Sequence, residues 1–285
     1  MKVKTAAKVN LALDVTEKLP NGYHNIKSVF QTVGLYDEIT VELTDEGISL
    51  TCEVPEEFAT ADPIPCDERN IAYKAAKLFL EENGMTSGCN ISIKKGIPSQ
   101  AGMGGGSTDA AAVIYCLSRL TGKSLEHTER LGADVPFFLT GGTAYVEGIG
   151  EKITPIADYS DRILVIAKGS QGVSTAEAYR AVESLEAPVH PEAEKLAETI
   201  KVSPDEAYRF FGNLFQQAVQ LEEVDSIISI MLNKDALKAN MTGSGSAVFG
   251  LFETVEQAEL CAEKLRKMGF FSAVCKTVKE SFTEL

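Results

Sequence analysis

Apolar and polar positions alternate along the first fifteen residues. Val3, Thr5, Ala7, Val9, Leu11, Leu13 and Val15 fall on one side of an extended chain, with Lys4, Ala6, Lys8, Asn10, Ala12 and Asp14 on the other. A period of two with this composition predicts a half-buried strand. Its polar face carries Lys8 and Asn10, with small alanines beside them that leave room above. Pro20-Asn21-Gly22 is a turn signal, followed at once by Tyr23 and His24. Strands are expected again at 27–33 and 38–43, then a Pro- and Asp-rich excursion over 54–67. The period then changes. Ile71, Ala75, Leu78 and Phe79 mark one face of a helix at 70–82, which Gly84 terminates.

Asn90, Ile91, Ser92 and Ile93 alternate as a strand, and an Ala-rich helix is expected from Asp109 to Leu120. Between them run Pro98, Ser99, Gln100, Ala101, Gly102, Met103, Gly104, Gly105, Gly106, Ser107 and Thr108. Ser107 and Thr108 are both good N-cap residues. Glycines let backbone N–H groups approach a ligand closely, and a helix N-terminus adds unpaired donors with a partial positive charge. The pattern points to an anion, in the first place a nucleotide polyphosphate; a glycine-rich turn with no ligand is the bland alternative. Neither common phosphate motif is present. Gly122-Lys123-Ser124 has Leu117 where the first glycine of a G-x-x-x-x-G-K-[ST] loop belongs, and Gly102-Met103-Gly104 is followed by Gly105, Gly106 and Ser107.

Asp134 lies among Leu131, Gly132, Ala133, Val135, Pro136 and Phe137. An unpaired carboxylate in such company is costly, so Asp134 either has a cationic or metal partner or ends a helix or turn. A domain boundary is expected at 152–161, giving domains of 1–155 and 156–285. Beyond it come a strand at 162–167, capping boxes at Ser174/Glu177 and Ser203/Glu206, and several helices over 190–233. The close is a strand at 238–241, a strand at 247–253, a helix at 254–268 capped by Thr254 and Gln257, and a strand at 272–278. The turn Thr242-Gly243-Ser244-Gly245 either reaches back to the first glycine loop or forms a tight hairpin.

Composition narrows the partners. The 285 residues carry a formal charge of -14 with 44% hydrophobic residues, which argues against nucleic acid or an anionic membrane. No apolar run approaches the roughly 18 residues of a membrane helix, and the N-terminus lacks the apolar stretch of a signal peptide. Six scattered cysteines, without C-x-x-C or Cys/His spacing, fit reduced thiols in a cytoplasm.

Three separated stretches agree with one another: the strand with Lys8 and Asn10, the loop from Pro98 to Thr108, and the late turn Thr242-Gly243-Ser244-Gly245. Together they resemble the GHMP kinases, named for galactokinase and the homoserine, mevalonate and phosphomevalonate kinases. Ala7-Lys8-Val9-Asn10-Leu11, Asn21-Gly22-Tyr23-His24, Leu35-Tyr36-Asp37, Gly132-Ala133-Asp134-Val135-Pro136-Phe137 and Gly172-Val173-Ser174-Thr175 narrow the resemblance. They are similar to the branch that acts on 4-diphosphocytidyl-2-C-methyl-D-erythritol in non-mevalonate isoprenoid synthesis, and they span nearly the whole chain in order.

The resemblance implies a two-domain α+β fold with the active site in the interdomain cleft. It implies transfer of the ATP γ-phosphoryl group to a hydroxyl, with Asp134 as general base and Lys8 beside it keeping Asp134 ionised. Pro98 to Thr108 would hold the triphosphate, and Ser107 would be a ligand of Mg²⁺. Tyr23 and His24 would hold the cytosine, with Asn10, Thr175 and Gly243 also on the small-molecule substrate. A monomer or weak homodimer is expected, with neither nucleic acid nor membrane as partner. Three departures from the family stand out. The segment from Asp109 to Leu131 is shorter, Phe211-Gly212-Asn213-Leu214-Phe215 replaces Phe-Asn-Asp-Leu-Glu, and Glu38 stands where a basic residue is common. Two other readings therefore stay open: a kinase for homoserine, mevalonate or a sugar, and a nucleotide-binding homologue with weakened catalysis.

Overall fold

The alternating N-terminal run forms strand β1 (Lys2–Lys18), followed by β2 (His24–Thr44), β3 (Ile48–Glu53), helix α1 (Ile71–Glu82), β4 (Gly88–Lys94) and α2 (Gly105–Thr121). Next come α3 (Val135–Thr140), β5 (Thr143–Gly148), β6 (Lys152–Pro155), β7 (Ile163–Lys168), α4 (Thr175–Glu183) and α5 (Ala193–Val202). The chain ends through β8 (Gly212–Asn213), α6 (Leu214–Ala218), α7 (Glu222–Leu232), β9 (Lys238–Met241), β10 (Val248–Phe252), α8 (Val255–Lys267), β11 (Phe271–Lys276) and β12 (Phe282–Glu284). This computed structural model describes residues 1–58 and 63–285, so part of the 54–67 excursion lies outside the described residues.

Two sheets result. The larger has the order β12-β1-β2-β4-β3, with β5 and then β6 continuing from the other end of β2 and β8 lying parallel to β1. The smaller is antiparallel, β11-β7-β10-β9. A single cut near residue 155 does not separate them. The short strands β8 and β12, far along the chain, both return to β1 in the first sheet.

β1 is not half-buried. Lys8 and Asn10 on its polar face are nearly as enclosed as Val9 and Leu11 on the other. Helix α2 covers one side, where Thr108 Oγ1 donates to Ala6 O at 2.8 Å. On the other, Ala7, Val9 and Leu11 pack in one cluster with Leu164 and Ile166 of β7 and Phe249 of β10. The strict alternation also breaks. A register shift between Asn10 and Ala12 turns the strand, so Ala12 joins Val9 in that cluster while Leu13 lines the same cavity as Lys8 and Asn10. The two strands expected at 27–33 and 38–43 are one. Between the pairs Ala7↔Val33 and Ala6↔Tyr36, residues Gly34 and Leu35 bulge out without ending β2.

Helix starts were legible only where the cap is local. Asn70 caps α1 by accepting from Ala72 N, and Thr254 with Gln257 forms a complete capping box on α8. α2, however, starts earlier than expected. Gly104, at φ 73°, is its N-cap and no side chain caps it, so Ser107 and Thr108 lie inside the first turn. Ser174 precedes α4 and Ser203 a short 3-10 helix, but neither makes a side-chain cap, because the pattern of residue types does not ensure the approach angle.

The two sheets are clasped by Asn213. Its Nδ2 donates to Met241 O at 2.8 Å and to Gly243 O at 2.9 Å, while its Oδ1 accepts from Phe215 N at 2.9 Å. The side chain is buried, so its removal strands three backbone groups. Asn213→Ala is expected to lower the unfolding free energy by about 2 kcal/mol in urea titration. A loss under about 0.5 kcal/mol would mean that water takes over those bonds.

Candidate active site

A lysine and an aspartate 126 positions apart in sequence meet between the two sheets. Lys8 is 4% exposed, and its Nζ lies 3.6 Å from Asp134 Oδ2. That separation gives charge attraction without a direct hydrogen bond. Lys8 Nζ donates instead to Asn10 Oδ1 at 2.7 Å and sits 4.5 Å from the centre of the Phe30 ring. Burial lowers the Lys8 pKa from its ordinary value, and Asp134 opposes that shift. Asp134 precedes α3 with Val135 and Pro136 opening the helix, yet its side chain caps nothing and stays 29% exposed to the cavity. The cationic partner that its apolar neighbours demanded is Lys8. The shortened segment before it includes a 3-10 helix, Thr128–Arg130, and still brings Asp134 to this position.

Asn10 was expected on the substrate. It lines the cavity, but its side chain is committed to the protein: Nδ2 donates to Ser28 Oγ at 3.0 Å, and Oδ1 accepts from Lys8 and from Gly243 N at 3.0 Å. Asn10 therefore ties Lys8 to the late glycine turn. That turn reaches the first loop backbone to backbone. A Cβ on Gly102 would lie 2.3 Å from Thr242 O, and one on Gly243 would lie 2.6 Å from Gly102 O, so neither position admits a side chain without a shift.

The first glycine loop walls a cavity of about 450 Å³. Pro98 to Ser107 line it, joined by Ile64, Pro65, Arg69, Asn70 and Ile71. The backbone of Gly104 to Gly106 opens α2, so the cavity sits at the N-terminus of a 17-residue helix. Thr108 belongs elsewhere. It is fully buried and bonded to β1, so its side chain is withdrawn from the expected cradle. Lys95 and Asp109 also line this cavity, with Asp37 behind them.

A second cavity of about 390 Å³ contains Lys8 and Asp134 and shares Gly102 and Gly104 with the first. It opens into a third, of about 480 Å³, through the shared Tyr23, Ile149, Thr175 and Tyr179. Here His24 stacks on Tyr179 with centroids 4.6 Å apart and planes at 14°. Phe215 meets Tyr179 edge-on at 4.9 Å. Glu183 Oε1 lies 2.9 Å from Lys18 Nζ and 2.9 Å from His24 Nε2, the latter off the axis of a ring N–H. Tyr23 is 59% exposed at the mouth, and Thr175 Oγ1 pairs with Ser244 Oγ at 3.0 Å. Lys8 with Asp134, the loop residues except the Thr108 side chain, and Tyr23, His24, Thr175 and Gly243 are thus brought together along one trough. Among the described residues no cluster of three or more His, Cys, Asp or Glu side chains could hold a metal ion.

Comparison with known proteins agrees with this geometry. The family model for the GHMP kinases N terminal domain matches residues 70–142, and that for the GHMP kinases C terminal matches 181–270. The chain belongs to the GHMP kinases. It is 40% identical over 276 residues to a 4-diphosphocytidyl-2-C-methyl-D-erythritol kinase of Clostridium botulinum, covering 94% of this chain and 96% of that one. It is 38% identical over 278 residues to the enzyme of the same name from Clostridium beijerinckii, at the same coverage. A crystal structure of 4-(cytidine 5'-diphospho)-2C-methyl-D-erythritol kinase superposes with a TM-score of 0.81 at 31% identity, over 97% of this chain and 99% of that one. Homoserine kinase from Cytophaga hutchinsonii, at 18% identity and a TM-score of 0.75, shares the fold.

Sequence reasoning missed three groups of residues in this GHMP kinase. Tyr179 and Glu183 read as an ordinary amphipathic helix, and nothing local marks them as facing His24. Asn213 lay in a segment that departs from the family, yet it holds the late glycine turn. Asp37, Lys95 and Asp109 come from β2, the residue after β4, and α2, and their burial beside one another marks them. Asp37 carried the single available signal, an acidic residue amid Leu35 and Tyr36.

Proposed function

We propose that this GHMP kinase transfers the γ-phosphoryl group of ATP to a hydroxyl of 4-diphosphocytidyl-2-C-methyl-D-erythritol. The observation that carries the reading is the continuity of the three cavities. A loop with helix-terminal donors adjoins a lysine–aspartate pair, and that pair adjoins an aromatic chamber. The names of the relatives at 38–40% identity support the same acceptor.

In this reading the triphosphate lies along Pro98 to Ser107 with its γ-phosphorus towards Lys8. The acceptor oxygen attacks phosphorus, the bond to the β–γ bridging oxygen breaks, and ADP leaves. Asp134 takes the hydroxyl proton, and the Lys8 ammonium balances charge on the transferring group. Such a reaction depends on positioning and charge neutralisation more than on covalent help. Mg²⁺ fits a site with few protein oxygens, because the ion keeps several waters and is held largely by phosphates. Ser107, in the first turn of α2 and on the cavity wall, would be the protein ligand. Magnesium bound there would neutralise phosphate charge. Tyr23 and Tyr179 flank the cytosine, with His24 fixed against the Tyr179 ring. No helix of the described residues is long and apolar enough to cross a membrane, and all six cysteines are free thiols, which supports a cytoplasmic enzyme.

ATP consumption with Mg²⁺ should be selective for the cytidyl substrate over homoserine, mevalonate and galactose. Turnover of one of the others instead would reassign the aromatic chamber. Asp134→Asn is expected to lower kcat by about 10²–10⁴ with ATP binding intact, and near-normal turnover would remove Asp134 from the chemistry. Tyr179→Ala should raise KM for the cytidyl substrate roughly 5- to 150-fold, the loss of one base stack, and leave KM for ATP alone. An equal rise in both would make Tyr179 a structural residue. Because burial lowers the Lys8 pKa, its ammonium is present at low pH and lost as pH rises through a value below the ordinary 10.5. The alkaline limb of kcat/KM should therefore fall below 10.5, and a limb at or above that value would exclude Lys8 as its source.

A further inference from the structure

A carboxylate that takes a proton from a bound hydroxyl needs a fixed direction. Among the described residues, however, no hydrogen bond holds the one at Asp134. Its side chain caps no helix, and Lys8 Nζ stands 3.6 Å from Oδ2, which attracts the charge without fixing an angle. Something else has to confine it. The tip of the β5–β6 hairpin, Gly148 to Glu151, packs against the other oxygen. Gly150 is buried there, and a Cβ on it would lie 3.2 Å from the Cβ of Ala133 and 3.7 Å from Asp134 Oδ1. The gap between tip and carboxylate is therefore no wider than one methyl group, and it bounds where Oδ1 can go.

The tip is itself held in place. It leaves paired strands, since Gly148 of β5 pairs with Ile26 of β2 and Glu147 with Lys152 of β6. Gly150 N donates to Glu147 O at 3.2 Å. Glu151 then folds back across the tip, where its Oε2 accepts from Ile149 N at 2.7 Å. Its carboxylate takes the space that a side chain at 148 would need, with Oε1 2.4 Å from a Cβ built on Gly148. Gly148 and Gly150 have φ of 71° and 118°, a backbone that side chains disfavour. Ile149 between them lines both the Lys8–Asp134 cavity and the aromatic chamber, while the tip contributes nothing to the wall of the glycine-loop cavity.

We infer that the Gly148–Glu151 tip is a positioning element for the reaction, with Gly150 backing the Asp134 carboxylate and Glu151 locking the tip. Neither is a catalytic residue; both act through Asp134. The role of Asp134 as general base rests on the reading proposed above. The contact with the tip does not.

Steady-state kinetics of the full-length protein test the inference, with whichever acceptor the unsubstituted protein turns over fastest. Gly150→Ala adds a Cβ to which Ala133 must give way, so kcat should fall about 10- to 100-fold while KM for ATP stays within about 2-fold. Glu151→Ala should lower kcat about 5-fold or more. Glu151→Gln, whose amide oxygen accepts the same bond from Ile149, should keep kcat within about 2-fold of the parent. A kcat within about 2-fold of the parent in Gly150→Ala would overturn the inference, as would equal losses in Glu151→Ala and Glu151→Gln. The carboxyl carbon-13 resonance of Asp134, assigned by its loss from Asp134→Asn, reads the placement without turnover. It should move in Gly150→Ala and Glu151→Ala and hold in Glu151→Gln; a resonance unmoved in the first two also overturns the inference. If Gly150→Ala does not fold, the two substitutions at Glu151 carry both readouts. No turnover of any acceptor by the unsubstituted protein, with the resonance moving as expected, would sink the kinase reading and leave the positioning in place.

Discussion

An ammonium group taken out of water has to recover its lost solvation from the protein, and the Lys8–Asp134 site is arranged around how Lys8 does so. It uses three unequal sources: a short hydrogen bond to Asn10, the carboxylate of Asp134 at 3.6 Å, and the face of Phe30. Asn10 is the one that links the halves. Its Oδ1 also accepts from Gly243 N, its backbone N–H donates to Thr242 Oγ1 at 2.9 Å, and Asn213 grips the carbonyls of the same turn. The position of the cation is thus set jointly by β1 and by a turn more than two hundred residues later. Asp134 is left partly open to the cavity.

The same meeting explains why two glycine-rich turns are needed. Gly102 and Gly243 touch through backbone atoms, and side chains there would wedge the sheets apart exactly where the first two cavities join. Rather than a hinge lined with side chains, the boundary is a seam of peptide groups, with Ala247 N donating to Ala101 O at 3.2 Å beside it. Cavities on either side of that seam share walls, so a ligand extended across it would touch both glycine turns.

The departures from the family pattern resolve in different ways. The short segment before Asp134 still delivers the carboxylate to Lys8, because Asp134 is located by its contact with β1 and by the start of α3. In 211–215 the one polar side chain, Asn213, stands where the family pattern has Asp and makes three bonds, while Phe215 gives the cavity an apolar wall and braces Tyr179. Asp37 of the Leu35-Tyr36-Asp37-Glu38 stretch is structural in its own right, closing the turn at Gly96 and Ile97.

Periodicity located β1, β4, α1, β9, β10 and α8 closely, since alternation and local caps are properties of neighbouring residues. Glycine spacing marked both loops, and the apolar company of Asp134 pointed to a cationic or metal partner or to a helix end. What the residues could not disclose alone was which side chains meet across long separations. The bulge that moves Leu13 to the Lys8 face, the withdrawal of Thr108 to β1, the commitment of Asn10, the stacking of Tyr179 on His24 and the buried Lys95–Asp37–Asp109 cluster all depend on how sheets and helices pack. By itself the sequence determined the kind of elements and the place of the glycine-rich loop, and it raised a charge partner for Asp134, because those follow from local backbone preference and from the cost of burying charge. Only the tertiary structure decided the partners and the shape of the trough, because burial is a property of the assembled fold.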